Sequence, residues 1–260
     1  MFRDAHTDRA PSWRPYLEAF HHQRAGVTER VLGHCVDQAG VNPYQWVAET
    51  VEPDAVVLDL ACGSGPFHDL TTGPWVGMDV SSAELDLATV RGASPLVLGD
   101  AGNLPFAAAS FDAVVCSMAL MLTQPLENVL RETTRVLRPS GQLVALLPTT
   151  RPLELGDRLR YGRLLLALRR RRLTYPNDVV LADLPGLLER AGLTLVEDRL
   201  RRFTYRIATA AAAQQLVASL YLPGVDAAQV VAAGRLSERW VDQTLGVPLR
   251  RIVARCADPI

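Results

Sequence analysis

The amino-acid sequence predicts a doubly wound α/β fold, in which helices cover both faces of a mostly parallel sheet. Short apolar runs of strand length alternate with helical stretches, which is typical of right-handed βαβ units. The chain of 260 residues is long enough for one elaborated domain. Its apolar content of 48% and charged content of 21% are those of an ordinary globular protein.

The predicted strands are five runs of apolar residues with few polar interruptions, as expected for strands buried on both faces: 55–60, 75–79, 95–100, 111–117 and 142–148. Between them we expect a short helix after Gly65 and longer helices over 82–90 and 124–137. A further helix over 181–191 would end at Gly192. Two long runs near the end, 194–207 and 247–256, indicate an antiparallel pair at the sheet edge.

The domain organisation follows from where this alternation begins. Residues 1–50 read as an N-terminal helical cap, and residues 51–260 as the main domain. Insertions at about 151–180 and 208–246 are expected to shape a ligand site. The first insertion ends in a run of four arginines, Arg169–Arg172.

Composition excludes several classes of function. The net charge of -1 gives no overall attraction to nucleic acid or to an anionic membrane, and every basic residue is arginine, which excludes lysine chemistry. The four cysteines form no C-x-x-C pair, so we expect no metal site. The charged first residues do not fit a signal peptide, and the apolar run at 164–168 is too short to span a bilayer. We therefore expect a soluble cytoplasmic protein with no membrane partner, and the sequence leaves the oligomeric state open.

The strongest local signal is the segment VVLDLACGSGPF at 56–67. A buried strand ends there at Asp59, and a glycine-containing turn is predicted to open a helix at about Pro66. Such a turn lets the backbone approach a ligand closely, and a helix N-terminus favours an anion. A dinucleotide fingerprint would need glycine at His68, and a phosphate-binding P-loop would need lysine, so the sequence excludes both.

The turn resembles the first motif of the Class I S-adenosylmethionine-dependent methyltransferases, in particular the type 11 group. The motif acid-x-G-x-G-x-G is occupied by Asp59, Ala61, Gly63 and Gly65, with alanine in place of the first glycine. The resemblance continues in order through WVGMDVSSAEL, LVLGDAGNLPF, FDAVVCSMAL and RVLRPSGQLVAL. It implies a Rossmann-like seven-stranded sheet with an antiparallel edge strand, S-adenosylmethionine as cofactor, and methyl transfer to oxygen, nitrogen or carbon of a small molecule.

The same resemblance implies which residues bind each part of the cofactor. Asp59 would orient the methionine ammonium group, and the turn Gly63–Gly65 would face the methionine chain, with the adjoining helix end favouring its carboxylate. Asp79 would bind the ribose hydroxyls. Asp100 would accept a hydrogen bond from the adenine amino group, beside the backbone of Ala101.

Four further residues complete the implied cofactor site. Met78 and Val80 would sandwich the adenine, and Ser117 and Met118 would lie near the reacting sulfonium. A structural alternative exists for Asp79, because an aspartate at the end of a strand often caps the next helix.

The acceptor side is less defined by the sequence. None of the five histidines lies beyond residue 68, so a histidine base must come from the cap or from the helix after the glycine turn. We expect His21 and His22 to serve as the candidate bases, with Tyr16 and Phe20 lining the acceptor pocket. The alternative is that both histidines are polar residues on a surface helix.

Three other functions compete with small-molecule methyl transfer. An RNA base methyltransferase would use Arg169–Arg172 to contact phosphates, although such a run at a helix end is usually a solvated face that complements the helix dipole. A non-methylating enzyme of the same fold could retain the cofactor, and a binding protein could retain it without catalysis.

Overall fold

The computed structural model describes residues 13–256 and contains an N-terminal group of three helices. These are α1 (Trp13–Arg24), α2 (Val27–Gly33) and α3 (Pro43–Ala48). A two-residue strand, β1 (Cys35–Val36), lies between the second and third helices. The first twelve residues of the predicted cap lie outside the described range.

One sheet of eight strands runs through the described part of the chain, in the order β1-β7-β8-β6-β5-β2-β3-β4. The strands after β1 are β2 (Val57–Leu60), β3 (Trp75–Asp79), β4 (Leu96–Leu98), β5 (Phe111–Ser117), β6 (Leu137–Pro148), β7 (Leu193–Arg206) and β8 (Thr244–Cys256). Strands β2 to β6 pair in parallel, and β8 is antiparallel to both β6 and β7.

The predicted Rossmann-like sheet is confirmed, with one correction to the number of strands. The eighth strand is β1, which pairs antiparallel with the end of β7 and forms the sheet edge. No sequence pattern indicated this strand, because two residues are too few for a recognisable strand pattern and they lie between helices.

In the described part of the chain, six α-helices follow the N-terminal group: α4 (Ser82–Val90), α5 (Leu126–Val136), α6 (Leu155–Ala167), α7 (Leu184–Arg190), α8 (Ala210–Ala218) and α9 (Ala227–Glu238). Two clusters of buried apolar side chains cover the two faces of the sheet. Neighbouring residues alternate between them, as in β2, where Val57 belongs to one cluster and Leu58 to the other. This alternation is the doubly wound arrangement.

The helix predicted after the glycine turn does not form. A 3-10 turn at His68–Leu70 stands in its place, and Pro74 follows directly before β3. Because proline cannot continue a helix and few residues separate the strands, there is no room for several helical turns. The expected helix dipole is therefore not available to the cofactor carboxylate.

The strand order places a crevice at one end of the sheet. The chain runs from β2 outward to β4 and then returns to β5 on the other side of β2. At such a reversal, the space outside the carboxyl ends of the strands is open to a ligand. Within residues 13–256, no helix has the length and apolarity to cross a bilayer, and no cluster of His, Cys, Asp and Glu has the arrangement of a metal site.

Candidate functional site

A cavity of about 480 Å³ lies at the carboxyl ends of β2, β3 and β5, a volume suited to a small molecule. Most of the residues predicted for the cofactor line it, together with both candidate histidines: His21, His22, Ala61, Gly63, Met78, Asp79, Val80, Asp100, Ala101, Ser117 and Met118. The lining also includes residues of α1 and the buried Tyr221. Helix α1 is held over the sheet by the second insertion, where the Tyr16 hydroxyl accepts a hydrogen bond from the Leu222 N–H at 2.6 Å.

The turn after β2 presents its backbone to the cavity. Ala61 and Gly63 adopt φ of 55° and 54°, the left-handed region that glycine favours, so alanine at the first motif position is strained. A Cβ built on Gly63 would collide with the carboxylate of Glu29. Glycine is therefore required at this point, where Glu29 lies against the turn.

Asp79 ties the turn to the next strand and helix. Its Oδ2 accepts a hydrogen bond from the Gly63 N–H at 2.8 Å, and its Oδ1 accepts one from the Ser81 N–H at 2.8 Å. The cap of α4 is Ser81, whose side chain accepts from the Glu84 N–H. Asp79 therefore fixes the shape of the ligand turn rather than serving as the helix cap.

Three acidic groups near this turn hold their protons more tightly than usual. Burial, with the charge of Glu84, raises the pKa of Glu29 to about 7, and burial, with the charge of Asp79, raises that of Asp59 to about 8. Burial also raises the pKa of Asp79, against the hydrogen bonds from Ser81 and Gly63. Glu29 Oε2 has no hydrogen-bond partner among the described residues. Asp59 is not part of the cavity lining, and a hydrogen bond from the Trp75 side chain lowers its pKa against the larger effect of burial. Buried carboxyl groups of this kind are suited to a cationic ligand group.

His21 forms a pair with a buried carboxylate. Its Nδ1 lies 2.8 Å from Oε1 of Glu84, which is itself 2% exposed and also accepts from the Gly26 N–H at 2.9 Å. Burial lowers the pKa of His21, but the hydrogen bond and charge of Glu84 outweigh burial and raise it above 6.5. The Nε2 atom lies 3.5 Å from the Tyr221 hydroxyl, a long contact that leaves this nitrogen available to a ligand.

The segment expected to hold the adenine is only partly as predicted. Met78 is 1% exposed and its side chain packs beneath Gly99, so it belongs to the core and cannot cover an adenine ring. Val80 is 65% exposed and does present its side chain. The Asp100 carboxylate accepts from the Gly102 N–H at 2.8 Å, which keeps it at the cavity rim.

A group of apolar side chains also lines the cavity. Trp13, Leu17, Leu122 and Tyr221 line it beside Met118, which has a left-handed φ of 59° at the end of β5. Two hydroxyls in the lining, of Ser117 and Thr123, are buried without a hydrogen-bond partner among the described residues. This part of the lining can therefore accommodate an apolar molecule with one or two polar atoms.

Tyr16 and Phe20, predicted for the acceptor pocket, are not among the residues that line this cavity. Phe20 is 4% exposed and its ring contacts that of Tyr221 at 4.7 Å, on the core side of α1. Residues four apart share a helix face, so Tyr16 lies on the same side. Helix α1 contributes Trp13, Leu17 and His21 to the lining, together with the polar side chains of Arg14, Glu18 and His22.

Sequence reasoning missed Glu29, Glu84 and Tyr221. The serine-led start of α4 marked a helix containing Glu84, but nothing showed that this side chain would reach α1. Glu29 and Tyr221 lie far from the recognised motif in the sequence, and no local pattern marks either of them.

Comparison with known proteins assigns the central part of the chain. A family model described as a methyltransferase domain matches residues 58–145, which run from β2 into β6. This central segment therefore matches the methyltransferase domain family.

Curated relatives match over part of the chain. A demethylmenaquinone methyltransferase of Symbiobacterium thermophilum is 34% identical over 116 residues, covering 39% of this chain and 46% of the relative. A 2-phytyl-1,4-naphtoquinone methyltransferase of Synechococcus elongatus is 38% identical over 121 residues, covering 42% and 51%. The chain thus matches about half the length of these relatives.

Solved structures extend the likeness of the fold to nearly the whole chain. The [4+2]-cyclase SpnF superposes with a TM-score of 0.58 at 20% identity, covering 94% of this chain and 96% of that one. A phosphoethanolamine N-methyltransferase of Haemonchus contortus superposes with a TM-score of 0.57 at 14% identity, covering 95% and 60%. At such identities the likeness shows the fold alone, which supports different chemistries.

Proposed function

We propose that this protein transfers a methyl group from S-adenosylmethionine to a small, apolar acceptor. The observation that carries the proposal is the strained glycine turn beside the buried carboxyl groups of Glu29 and Asp79, which line the cavity. Glu29 Oε2 has no hydrogen-bond partner among the described residues. The cofactor carries an ammonium and a sulfonium group, so its charge complements the acidic surroundings. The residues present therefore fit the cofactor.

Each part of the cofactor has a group to hold it. Glu29 and Asp59 would attract the ammonium group, while the Asp79 carboxylate would accept from the ribose hydroxyls. Val80 and Asp100, at the ends of neighbouring strands, would contact the adenine. When bound, the cofactor supplies an electrophilic methyl group, and the protein aligns the acceptor with it and excludes water.

The acceptor class follows from the apolar side chains that line the cavity. Trp13, Leu17 and Leu122 favour a planar, apolar molecule, which agrees with the naphthoquinone named for one group of relatives. For an acceptor that must lose a proton, Nε2 of His21 would accept it while Glu84 stabilises the imidazolium that forms. His22 lines the same cavity and is the second candidate. The free cysteines fit a reducing compartment, so we propose the cytoplasm as the site of action.

The deciding experiment is a calorimetric titration with S-adenosylhomocysteine. We expect the parent protein to bind, and Asp79→Asn to bind about tenfold or more weakly, because a hydrogen bond to a charged group contributes on the order of 1.5–3 kcal/mol. Asp86→Asn, an exposed position on α4, is the matched control and should bind like the parent.

Two results would count against the proposal. If the parent protein does not bind S-adenosylhomocysteine, the proposed cofactor is contradicted. If Asp79→Asn binds it as tightly as the parent does, the proposed binding site is contradicted. Release of S-adenosylhomocysteine from S-adenosylmethionine in the presence of reduced naphthoquinones would separate methyl transfer from a non-methylating use of the cofactor. A salt-dependent affinity for RNA with no such turnover would favour an RNA substrate.

A further inference from the structure

Helix α6 exposes a ridge of leucines that no part of the described chain covers. Leu155, Leu159 and Leu166 are 74%, 57% and 78% exposed. Their spacing of four and seven residues places them in one line along the helix, and Gly162 falls on the same line. The opposite face of α6 is buried, through Asp157 and Leu164. The leucines therefore form an outward apolar stripe on a well-anchored helix.

Arginines lie on both sides of this stripe. Helical spacing puts Arg158 on one flank and Arg163 on the other. Beyond the end of the helix the chain continues into Arg169, Arg171 and Arg172, which are exposed. Within residues 13–256, none of these five guanidinium groups has an ion pair or a hydrogen bond. The acidic residues of the same segment, Glu154 and Asp157, are already paired with Arg202. The ridge is thus strongly positive, although the chain as a whole has a net charge of -1.

We propose that this ridge, the exposed leucines of α6 with their flanking arginines, docks on an anionic lipid bilayer. An apolar stripe flanked by arginines matches the boundary between lipid tails and negative headgroups, because the guanidinium groups reach the headgroups while the leucines enter the tails. The surface is a convex helix face rather than a groove, which suits a deformable bilayer. The whole-chain charge had predicted no membrane partner, and it could not reveal a local excess of positive charge.

RNA and a second copy of this chain each complement only part of this surface. RNA would neutralise the arginines but leave three leucines in water, and a second copy of the ridge would bring like charges together. The bilayer alone takes both the apolar and the charged parts.

The chain segment that follows the ridge contacts a residue of the cavity lining. Three residues beyond Arg172 stands Tyr175, whose ring lies 6.4 Å from that of Trp13 in the cavity lining. A docked protein would hold this part of the cavity lining near the bilayer, where an apolar acceptor is concentrated. This last point rests on the proposed function, whereas docking itself does not.

Co-sedimentation with vesicles tests the docking. We expect the full chain to sediment with vesicles of phosphatidylglycerol and phosphatidylcholine, to stay in solution with phosphatidylcholine alone, and to dissociate as salt is raised. Leu166→Glu should weaken binding about tenfold or more, and Arg163→Glu about fivefold. Val90→Glu is the matched control, because Val90 is 83% exposed on α4, beside the β3 and β4 side of the sheet, and it should bind like the parent.

Thermal unfolding followed by circular dichroism is the control for the fold of Leu166→Glu. We expect an unchanged melting temperature, because the Leu166 side chain is exposed to solvent. The proposal is overturned if the parent ignores anionic vesicles, or if Leu166→Glu and Val90→Glu bind equally. Binding of an RNA oligonucleotide that responds to Arg163→Glu but not to Leu166→Glu, without vesicle binding, would assign the ridge to RNA. A dimer that Leu166→Glu dissociates, without vesicle binding, would assign it to self-association.

Discussion

His21 is the clearest case in which one neighbour decides the chemistry of a side chain. The imidazole is largely buried, and burial alone would favour the neutral ring. The Glu84 carboxylate, 2.8 Å from Nδ1, reverses that preference and fixes which nitrogen faces the cavity. His22, the next residue, has no hydrogen-bond partner within the described chain and gains no such control. The proposed role of a base therefore falls more strongly on His21.

We predict that the Glu84→Gln variant lowers the pKa of His21. Glutamine can keep the hydrogen bond but removes the charge, so burial then dominates and favours the neutral imidazole. The measurement is the pH titration of the histidine Cε1 protons by NMR, assigned with His21→Gln. In the parent, the pKa of His21 should lie above the ordinary value of 6.5. If the pKa of His21 is the same in Glu84→Gln as in the parent, Glu84 does not control the protonation of His21, and the proposed role of the pair is contradicted.

At the scale of the elements, the join between α1 and α2 determines where Glu29 and His21 point. Gly26 occupies this join with φ of 72°, and its N–H donates to Glu84 on α4. A Cβ at this position would meet the side chain of Leu87 on α4. The three helices therefore meet at a residue that must be glycine.

We predict that Gly26→Ala destabilises the protein by roughly 1–3 kcal/mol, since the left-handed backbone and the contact with Leu87 both oppose a methyl group. Gly33→Ala, at the end of α2, is the matched control, because nothing lies within 4 Å of a Cβ there. That change should be neutral or stabilising by up to about 1 kcal/mol. Urea unfolding measures both, and equal stabilities of the two variants would contradict this account of the join.

The sequence predicted the elements better than it predicted their contacts. Strands β3 and β5 and helix α4 have the predicted bounds, because an uninterrupted apolar run and a serine cap are local signals. The cavity-facing side of α1 was not predictable, since its apolar residues surround much of the helix and only the insertion at Leu222 selects the buried side. The missing helix after the turn depended on the distance to the next strand, which local propensity does not measure.

At the scale of the whole molecule, acidic groups fall into two sets with opposite effects on stability. Surface carboxylates paired with arginine, such as Asp112 and Asp198, have hydrogen bonds from their surroundings that lower the pKa below its usual value. Their contribution is present above the pKa of the unfolded chain and is lost in acid. Glu29 and Asp59 behave in the opposite way, because burial raises the pKa of each carboxyl group. As pH rises, these two carboxyl groups therefore lower the free energy of unfolding of the ligand-free protein.

We predict that the ligand-free protein is most stable on the acidic side of neutrality and loses stability up to about pH 8. The carboxyl groups of Glu29 and Asp59 stay protonated in the fold up to pKa values of about 7 and about 8. In the unfolded chain both groups lose their protons near pH 4, so the unfolded state is progressively favoured between those limits. Urea unfolding at about pH 5 and about pH 8 measures the difference.

Further unfolding measurements test whether this pH dependence of stability arises from the carboxyl groups of the site. Glu29→Gln should make the loss of stability shallower, whereas Glu18→Gln should leave it unchanged, because Glu18 also lines the cavity but its side chain is 64% exposed. Saturation with S-adenosylhomocysteine should flatten the slope in the parent, since its ammonium group stabilises the ionised carboxylates, and its affinity should rise with pH for the same reason. Equal stability of the ligand-free parent at both pH values would mean that these carboxyl groups are solvated in the fold, and the acidic grip on the cofactor would lose its physical basis.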